Sequence, residues 1–428
     1  MTGAIAPARR SVALVMLGGV FVMEGYDLNA MALAVPRLEG ALGIAPTSFG
    51  LVFTALLVGI GIGGAVLAPF GDRFGRRALI VSGCLATGLF TLATVTAAST
   101  AGFLAWRALT GLALGAALPN VSALSAELAP DKLRATIMAL VSAGIPLGLA
   151  IAGLMAPEVI ALGGWQGLFV VPGSFAVVLA AVLYWVLEGG APRTGEAHEE
   201  LARGDGVQAQ ESPGRFRRLA TQFPQLGVFL PPWWLPFAVF AAMLSLNAMN
   251  LYLLNSWIPT VLPQAGYSLD DAARIAGVVQ LAGLAIGVVA SLGLDRWRPA
   301  QTLLLMFGAM AACFLAVSLT APEQGYWTQL LMVGVGGASA GGMVLPALCV
   351  YLFPARLLSS AIGLGIMVAR LGAFAGPLVG QAILNADASP QTFFFAAFVP
   401  AGLCALAALC VPLALAVKRR ENAVPSMA

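Results

Sequence analysis

Long apolar runs, broken by short polar segments, occupy nearly the whole chain. A helix needs about 20 apolar residues to cross the ~30 Å hydrocarbon core of a bilayer. Twelve runs meet that length: 11–36, 48–70, 78–98, 102–126, 134–156, 164–187, 236–262, 272–294, 299–320, 326–353, 358–384 and 392–417. One long polar segment separates the sixth from the seventh and carries, among others, Glu188, Arg193, His198, Arg215 and Arg218. The pattern predicts an all-α membrane protein of twelve transmembrane helices in two six-helix repeats. The expected parts are an N-terminal bundle over 1–187, a solvated cytoplasmic linker over 188–232 and a C-terminal bundle over 233–428.

The two halves share a register. A shift of 223 residues pairs Leu28 with Leu251, Pro36 with Pro259, Gly43 with Gly266, Gly64 with Gly287, Asp72 with Asp295 and Arg73 with Arg296. Repeated halves of this kind are common in secondary transporters, with the substrate held between them near mid-membrane. The same shift sets Glu24 against Asn247 and Asp27 against Asn250. Carboxylates in one half thus face neutral amides in the other, and a proton-active position is expected in the first half only.

Lysine and arginine placement gives the orientation, because cytoplasmic loops collect both residues. With the N-terminus inside, eighteen of the 22 basic residues fall in cytoplasmic segments and only Arg37 and Arg274 fall outside. Both termini are therefore expected in the cytoplasm. Arg9 and Arg10 ahead of an apolar run resemble the start of a signal peptide. Glu24 and Asp27 interrupt that run, and its length exceeds a signal's apolar region, so an uncleaved first helix is expected.

Composition removes most other classes. The chain is 60% hydrophobic and 10% charged, with a mean hydropathy of +0.91, against roughly 25% charged in soluble domains. Its one histidine, His198, lies in the polar segment, and its five cysteines sit inside apolar runs. His-based metal centres, Ser-His hydrolysis, CxxC sites and histidine proton relays are thereby excluded. Lys132 and Lys418 precede Leu and Arg, so no P-loop is present. Neither an enzyme nor an ATP-driven pump is indicated, and no metal, cofactor or nucleic-acid partner is expected.

The loop Gly71-Asp72-Arg73-Phe74-Gly75-Arg76-Arg77, with its weaker echo Asp295-Arg296-Trp297-Arg298, resembles the signature loop of the major facilitator superfamily. Ala68 departs from that pattern, which usually has Gly there. Further stretches resemble the aromatic acid:proton symporter family within that superfamily. They are Glu24-Gly25-Tyr26-Asp27, the run from Arg107 through Gly111, Gly115 and Pro119 to Asn120, Ser256-Trp257-Ile258-Pro259-Thr260, and Ala369-Arg370-Leu371-Gly372 with Gly376-Pro377. The family usually shows Asp at the position of Glu24. The resemblance covers essentially the whole chain. It implies the major facilitator fold and proton-coupled import of benzoate-like carboxylates through the inner membrane of a bacterium by a monomer, driven by the proton gradient alone. Another organic acid, nicotinate or a sugar as cargo, or drug/proton antiport, remain alternatives. A gating role follows for Asp72, Arg73, Gly75, Arg76 and Arg77, with Glu127, Arg134, Asp295 and Arg296. Asp72 would face a helix N-terminus and the arginines would reach carboxylates across the interface between the halves. Three arginines in one loop also serve topology alone.

Charges deep in spans cost ~2.5–3.5 kcal/mol each on insertion scales and are functional candidates by default. Glu24 and Asp27 are the two clearly buried acids, spaced i,i+3 on adjoining parts of one helix face. Two close carboxylates in a low dielectric cannot both ionise cheaply, which suits a reversible proton site. Asp27 is the expected proton carrier, with Glu24 modulating it; a permanent Asp27–Arg107 ion pair is the bland alternative. Rise per residue puts Arg107 and Asp27 at depths that allow pairing, with snorkelling of Arg107 to the surface as its own alternative. Arg370, near mid-helix, is the expected ligand for a substrate carboxylate, since a guanidinium grips one bidentately. Tyr26, Tyr252 and Trp257 are candidate ring contacts, and Asn247, Asn250, Asn255 and Gln280 candidate partners for ring hydroxyls. Trp233, Trp234 and Trp257 equally suit interface anchors.

Overall fold

The computed structural model describes residues 7–130, 133–187 and 224–423. Most of the segment read as a linker, including Arg193, His198 and Arg218, lies outside the described residues. Inside a bilayer every backbone N–H and C=O must be satisfied within the chain, and helices do this segment by segment. The described residues are accordingly helical, with no strand. The first half contains α1 (Pro7–Leu42), α2 (Gly50–Ile62), α3 (Phe70–Phe74), α4 (Arg76–Ala93), α5 (Thr100–Leu128), α6 (Arg134–Ser142) and α7 (Gly144–Val186). The second contains α8 (Trp234–Gln264), α9 (Leu269–Arg296), α10 (Pro299–Leu319), α11 (Gln324–Leu352), α12 (Ala355–Asn385) and α13 (Pro390–Ala423).

Among the described residues, eleven helical stretches are long and apolar enough to cross a membrane. One of them, Thr136–Val186, is 51 residues long, or ~76 Å at 1.5 Å per residue. It breaks at Gly163 and Gly164, where the backbone leaves helical geometry and φ at Gly164 is 63°. The second span is also less regular than its apolar run suggests. A π-helical turn, Gly63–Leu67, follows α2 before the short α3.

Two repeat-related glycines explain part of the shared register. Gly43 follows α1 with φ 68° and Gly266 lies between α8 and α9 with φ 90°, a conformation L side chains avoid. The halves also pack alike, with α1 along α7 and α8 along α12. Gly148 meets the backbone of Val22, and Gly372 that of Ser245; Val22 and Ser245 are related by the same shift of 223, and the two glycines by one residue more. A Cβ added at Gly25 would lie 2.0 Å from Ile145 O. Gly25→Ala is therefore expected to force α1 and α7 apart, at a cost of about 1–3 kcal/mol. Gly18→Ala meets nothing within 4 Å and serves as control. Thermal inactivation of the two variants in detergent should separate them by several degrees.

The halves meet along α7 with α9, α2 with α12 and α1 with α8. Among the described residues, hydrogen bonds and ion pairs between halves all fall at one end of the bundle. They are Arg37 with Asp270, Arg274 with Glu158, Gln381 Nε2 donating to Thr47 O and Thr54 Oγ1 to Phe374 O. Gly153 and Gly277 bring α7 and α9 into backbone contact near the same end. Among the described residues the halves are bonded there and show no hydrogen bond or ion pair at the opposite end, which carries the loop from Asp72 to Arg77.

Candidate functional site

Asp27 and Arg107 form a fully buried ion pair. Arg107 Nη1 donates to Asp27 Oδ2 at 2.7 Å and Nη2 to Oδ1 at 3.1 Å, with the two side chains 1% and 0% exposed. Arg107 therefore does not snorkel. Thr91 Oγ1 in α4 donates to Asp27 Oδ1 at 2.9 Å, and Thr94 Oγ1 accepts from Arg107 Nη2 at 3.4 Å. Phe169 in α7 lays its ring 5.4 Å from the guanidinium carbon. The carboxylate thus has three donors, while Arg107 Nε has no partner. Four helices of the first half meet at this pair.

Glu24 is one turn nearer the end that carries that loop. It is buried, yet its Oε2 has no hydrogen-bond partner. Arg370 and Asp27 are the charges close enough to act on it, and Tyr252 in α8 feels both Glu24 and Arg370. Arg370 is half-buried in α12 and makes no ion pair within 4.0 Å among the described residues. Glu24 of the first half thus lies in the neighbourhood of Arg370 and Tyr252 of the second, without a direct bond among the described residues. Tyr26 is buried with an unpartnered hydroxyl.

A cavity of ≈ 30 Å³ also lies between the halves, lined by Leu28, Met31, Phe53, Arg107, Tyr252 and Asn255 among others. It holds about one water, whereas the engineered cavity known to take a benzene ring is about 150 Å³.

The neutral candidates of the second half mostly join helices. Asn247 Nδ2 donates to Ala338 O and Asn250 Nδ2 to Ala397 O, clamping α8 to α11 and α13. The Oδ1 of each is buried without a partner. Gln280 accepts from Ser339 Oγ and donates to Asn255 Oδ1 at 2.9 Å, so a polar chain reaches the cavity wall. Trp257 is fully buried rather than an interface anchor. Its Nε1 donates to Pro377 O and its ring meets Phe53 edge-on at 5.3 Å. Trp233 is also buried, and Trp234 alone of the three is exposed.

The basic loop departs from expectation in one respect. Among the described residues Arg76 pairs with Asp72 and Glu127, both in its own half, and with no carboxylate across the interface. Arg77 donates to Tyr184 O and stacks on that ring, and Arg134 Nε donates to Ala126 O. Arg73 lies over the ring of Phe74, and Gly75 has φ 94°. In the second half Asp295 accepts from Tyr351 at 2.6 Å, while Arg296 is exposed.

Sequence reasoning missed Thr91, Thr94, Phe169 and Ser339, and it missed the cross-half pairs of Arg37 and Arg274. The two arginines had a signal, being the two basic residues that the sequence reading placed in outer loops. Their pairs are exposed, so each contributes ~1 kcal/mol or less. In an Ala273→Cys background, on the α9 face packed against Gly153, Asp270→Asn with Glu158→Gln should raise thiol labelling at position 273 by up to about fivefold, the equivalent of ~1 kcal/mol.

A model of the Major Facilitator Superfamily matches residues 15–377. The chain is 29% identical to the 4-hydroxybenzoate transporter PcaK of Pseudomonas aeruginosa, over 91% of this chain and 90% of that one. It is 27% identical to a gallate transporter of Pseudomonas putida, over 92% and 90%. It is 28% identical to a 3-(3-hydroxy-phenyl)propionate transporter of Escherichia coli, over 85% of each. Among solved structures, a D-xylose-proton symporter superposes with a TM-score of 0.71 at 18% identity, covering 94% of this chain and 96% of that one. That likeness concerns the fold.

Proposed function

The chain belongs to the major facilitator superfamily, and from that premise we propose that it is a proton-coupled symporter importing small aromatic carboxylates by alternating access. It is a multi-pass membrane transporter, not an enzyme, and its relatives named above carry hydroxylated aromatic acids. We count the two arms of Thr136–Val186 as separate spans, giving twelve. Lysine and arginine placement then puts both termini and the Asp72–Arg77 loop in the cytoplasm. On that orientation the bonds between the halves lie at the outer end. The six-helix bundles are 1–187 and 233–428, and the last turn of the linker, Pro224–Phe229, packs on α12.

The observation that carries the coupling is the balance of deep charges. Glu24, Asp27, Arg107 and Arg370 sum to zero when ionised. A carboxylate substrate adds one negative charge to a medium where an uncompensated charge is costly. A proton taken up with it restores neutrality. Protonation of Asp27 loosens Arg107, with Glu24 setting the local field, and the freed positive charge favours a substrate carboxylate held by Arg370. Tyr26, Tyr252 and Trp257 frame the ring, and the Gln280–Asn255 chain serves ring hydroxyls. No cofactor is needed, since the proton gradient supplies the work.

Uptake of labelled 4-hydroxybenzoate by proteoliposomes with an acidic exterior tests this reading. Accumulation that a protonophore abolishes and that benzoates compete for is the expected result. Competition by nicotinate or glucose alone would remove the aromatic-acid assignment.

A further inference from the structure

Away from the transport site, a groove of ≈ 440 Å³ opens on the outer surface of the first half, between α3, α4 and α5. Leu67, Phe70, Phe74, Leu79, Phe90 and Leu112 are among its lining residues, and its wall is almost wholly apolar. The volume falls in the ~300–1,000 Å³ range of small-molecule sites. Leu79 and Phe90 are eleven positions apart on α4, so the groove extends ~16 Å along that helix. This matches one leaflet of a ~30 Å hydrocarbon core, ~15 Å deep. At its loop end stands Phe74, with the Arg73 guanidinium 5.6 Å from the ring centroid.

Arg73 differs from its neighbours. Arg76 is held by Asp72 and Glu127, and Arg77 by Tyr184. Arg73 is exposed and, among the described residues, has no hydrogen bond or ion pair. An apolar slot one leaflet deep that ends at an unpaired guanidinium has the layout of a phospholipid, with chain and headgroup each provided for. We propose that this groove binds one anionic phospholipid of the loop-side leaflet, its acyl chain along α4 and its phosphate on Arg73. The inference does not depend on what the transporter carries.

Native mass spectrometry of the full chain, released from detergent with phosphatidylglycerol or phosphatidylcholine of identical chains, tests it. Wild type should retain phosphatidylglycerol about fivefold better, the equivalent of ~1 kcal/mol per basic residue at an anionic surface. Arg73→Gln should lose that preference and Arg73→Lys keep most of it. Ala86→Phe, which fills the groove wall, should lose both lipids. Arg298→Gln, an exposed arginine of the other half, should behave as wild type. Equal retention of the two lipids by wild type would overturn the headgroup assignment. Unchanged retention in Ala86→Phe would overturn the groove, and an equal loss in Arg298→Gln would reduce the effect to net charge.

Discussion

Asp27→Asn is expected to lower gradient-driven accumulation at least about tenfold, to the level left by a protonophore, while counterflow exchange persists. Asparagine keeps one oxygen, at the Oδ1 position, for Thr91 and for Arg107 Nη2, but it has neither the charge nor the exchangeable acid. The variant also strands Arg107 in a fully buried site, and an unpaired buried charge costs ~3–5 kcal/mol. Stability and coupling must therefore be separated. Asp27→Asn with Arg107→Gln removes both charges, and should recover thermal stability without recovering accumulation. Full gradient-driven uptake in the single variant would remove Asp27 from the proton path. Accumulation regained in the double variant would make the pair a structural tie that never titrates.

Arg370→Gln is expected to weaken binding of 4-hydroxybenzoate by about 10- to 150-fold, the range set by the ~1.5–3 kcal/mol of a hydrogen bond to a charged group. It also leaves Glu24 without its cross-half counter-charge. Arg370→Lys should fall between the two, since an ammonium keeps the charge and loses the bidentate fork. Calorimetry with Asp27→Asn in parallel distinguishes the roles. Binding should drop in the Arg370 variants and persist in Asp27→Asn. Affinity within twofold of wild type in Arg370→Gln would place the carboxylate elsewhere.

The architecture was readable because a bilayer imposes a single requirement on every span. Apolar length gave the helices, and the long helix breaks at Gly163, between the runs predicted at 134–156 and 164–187, and at Gly164, where the second begins. The Gly43/Gly266 match had a backbone cause visible only in the φ angles. Depth along α1 and α5 was enough to anticipate the meeting of Asp27 with Arg107. Rotation was not readable. A span that is apolar all round does not say which face turns inward, so Thr91 and Phe169 gave no sign of converging on Asp27. The same ambiguity hid the buried position of Trp257. Nor did apolar length tell that Arg76 would pair with Asp72 and Glu127 of its own half, since it says nothing of how loop side chains turn.

Lumenal pH in proteoliposomes, followed with a trapped indicator after 4-hydroxybenzoate is added outside with no gradient imposed, reports coupling most directly. The account predicts acidification of the lumen in step with substrate entry, absent in Asp27→Asn. Substrate entry without a pH change in the wild type would contradict it.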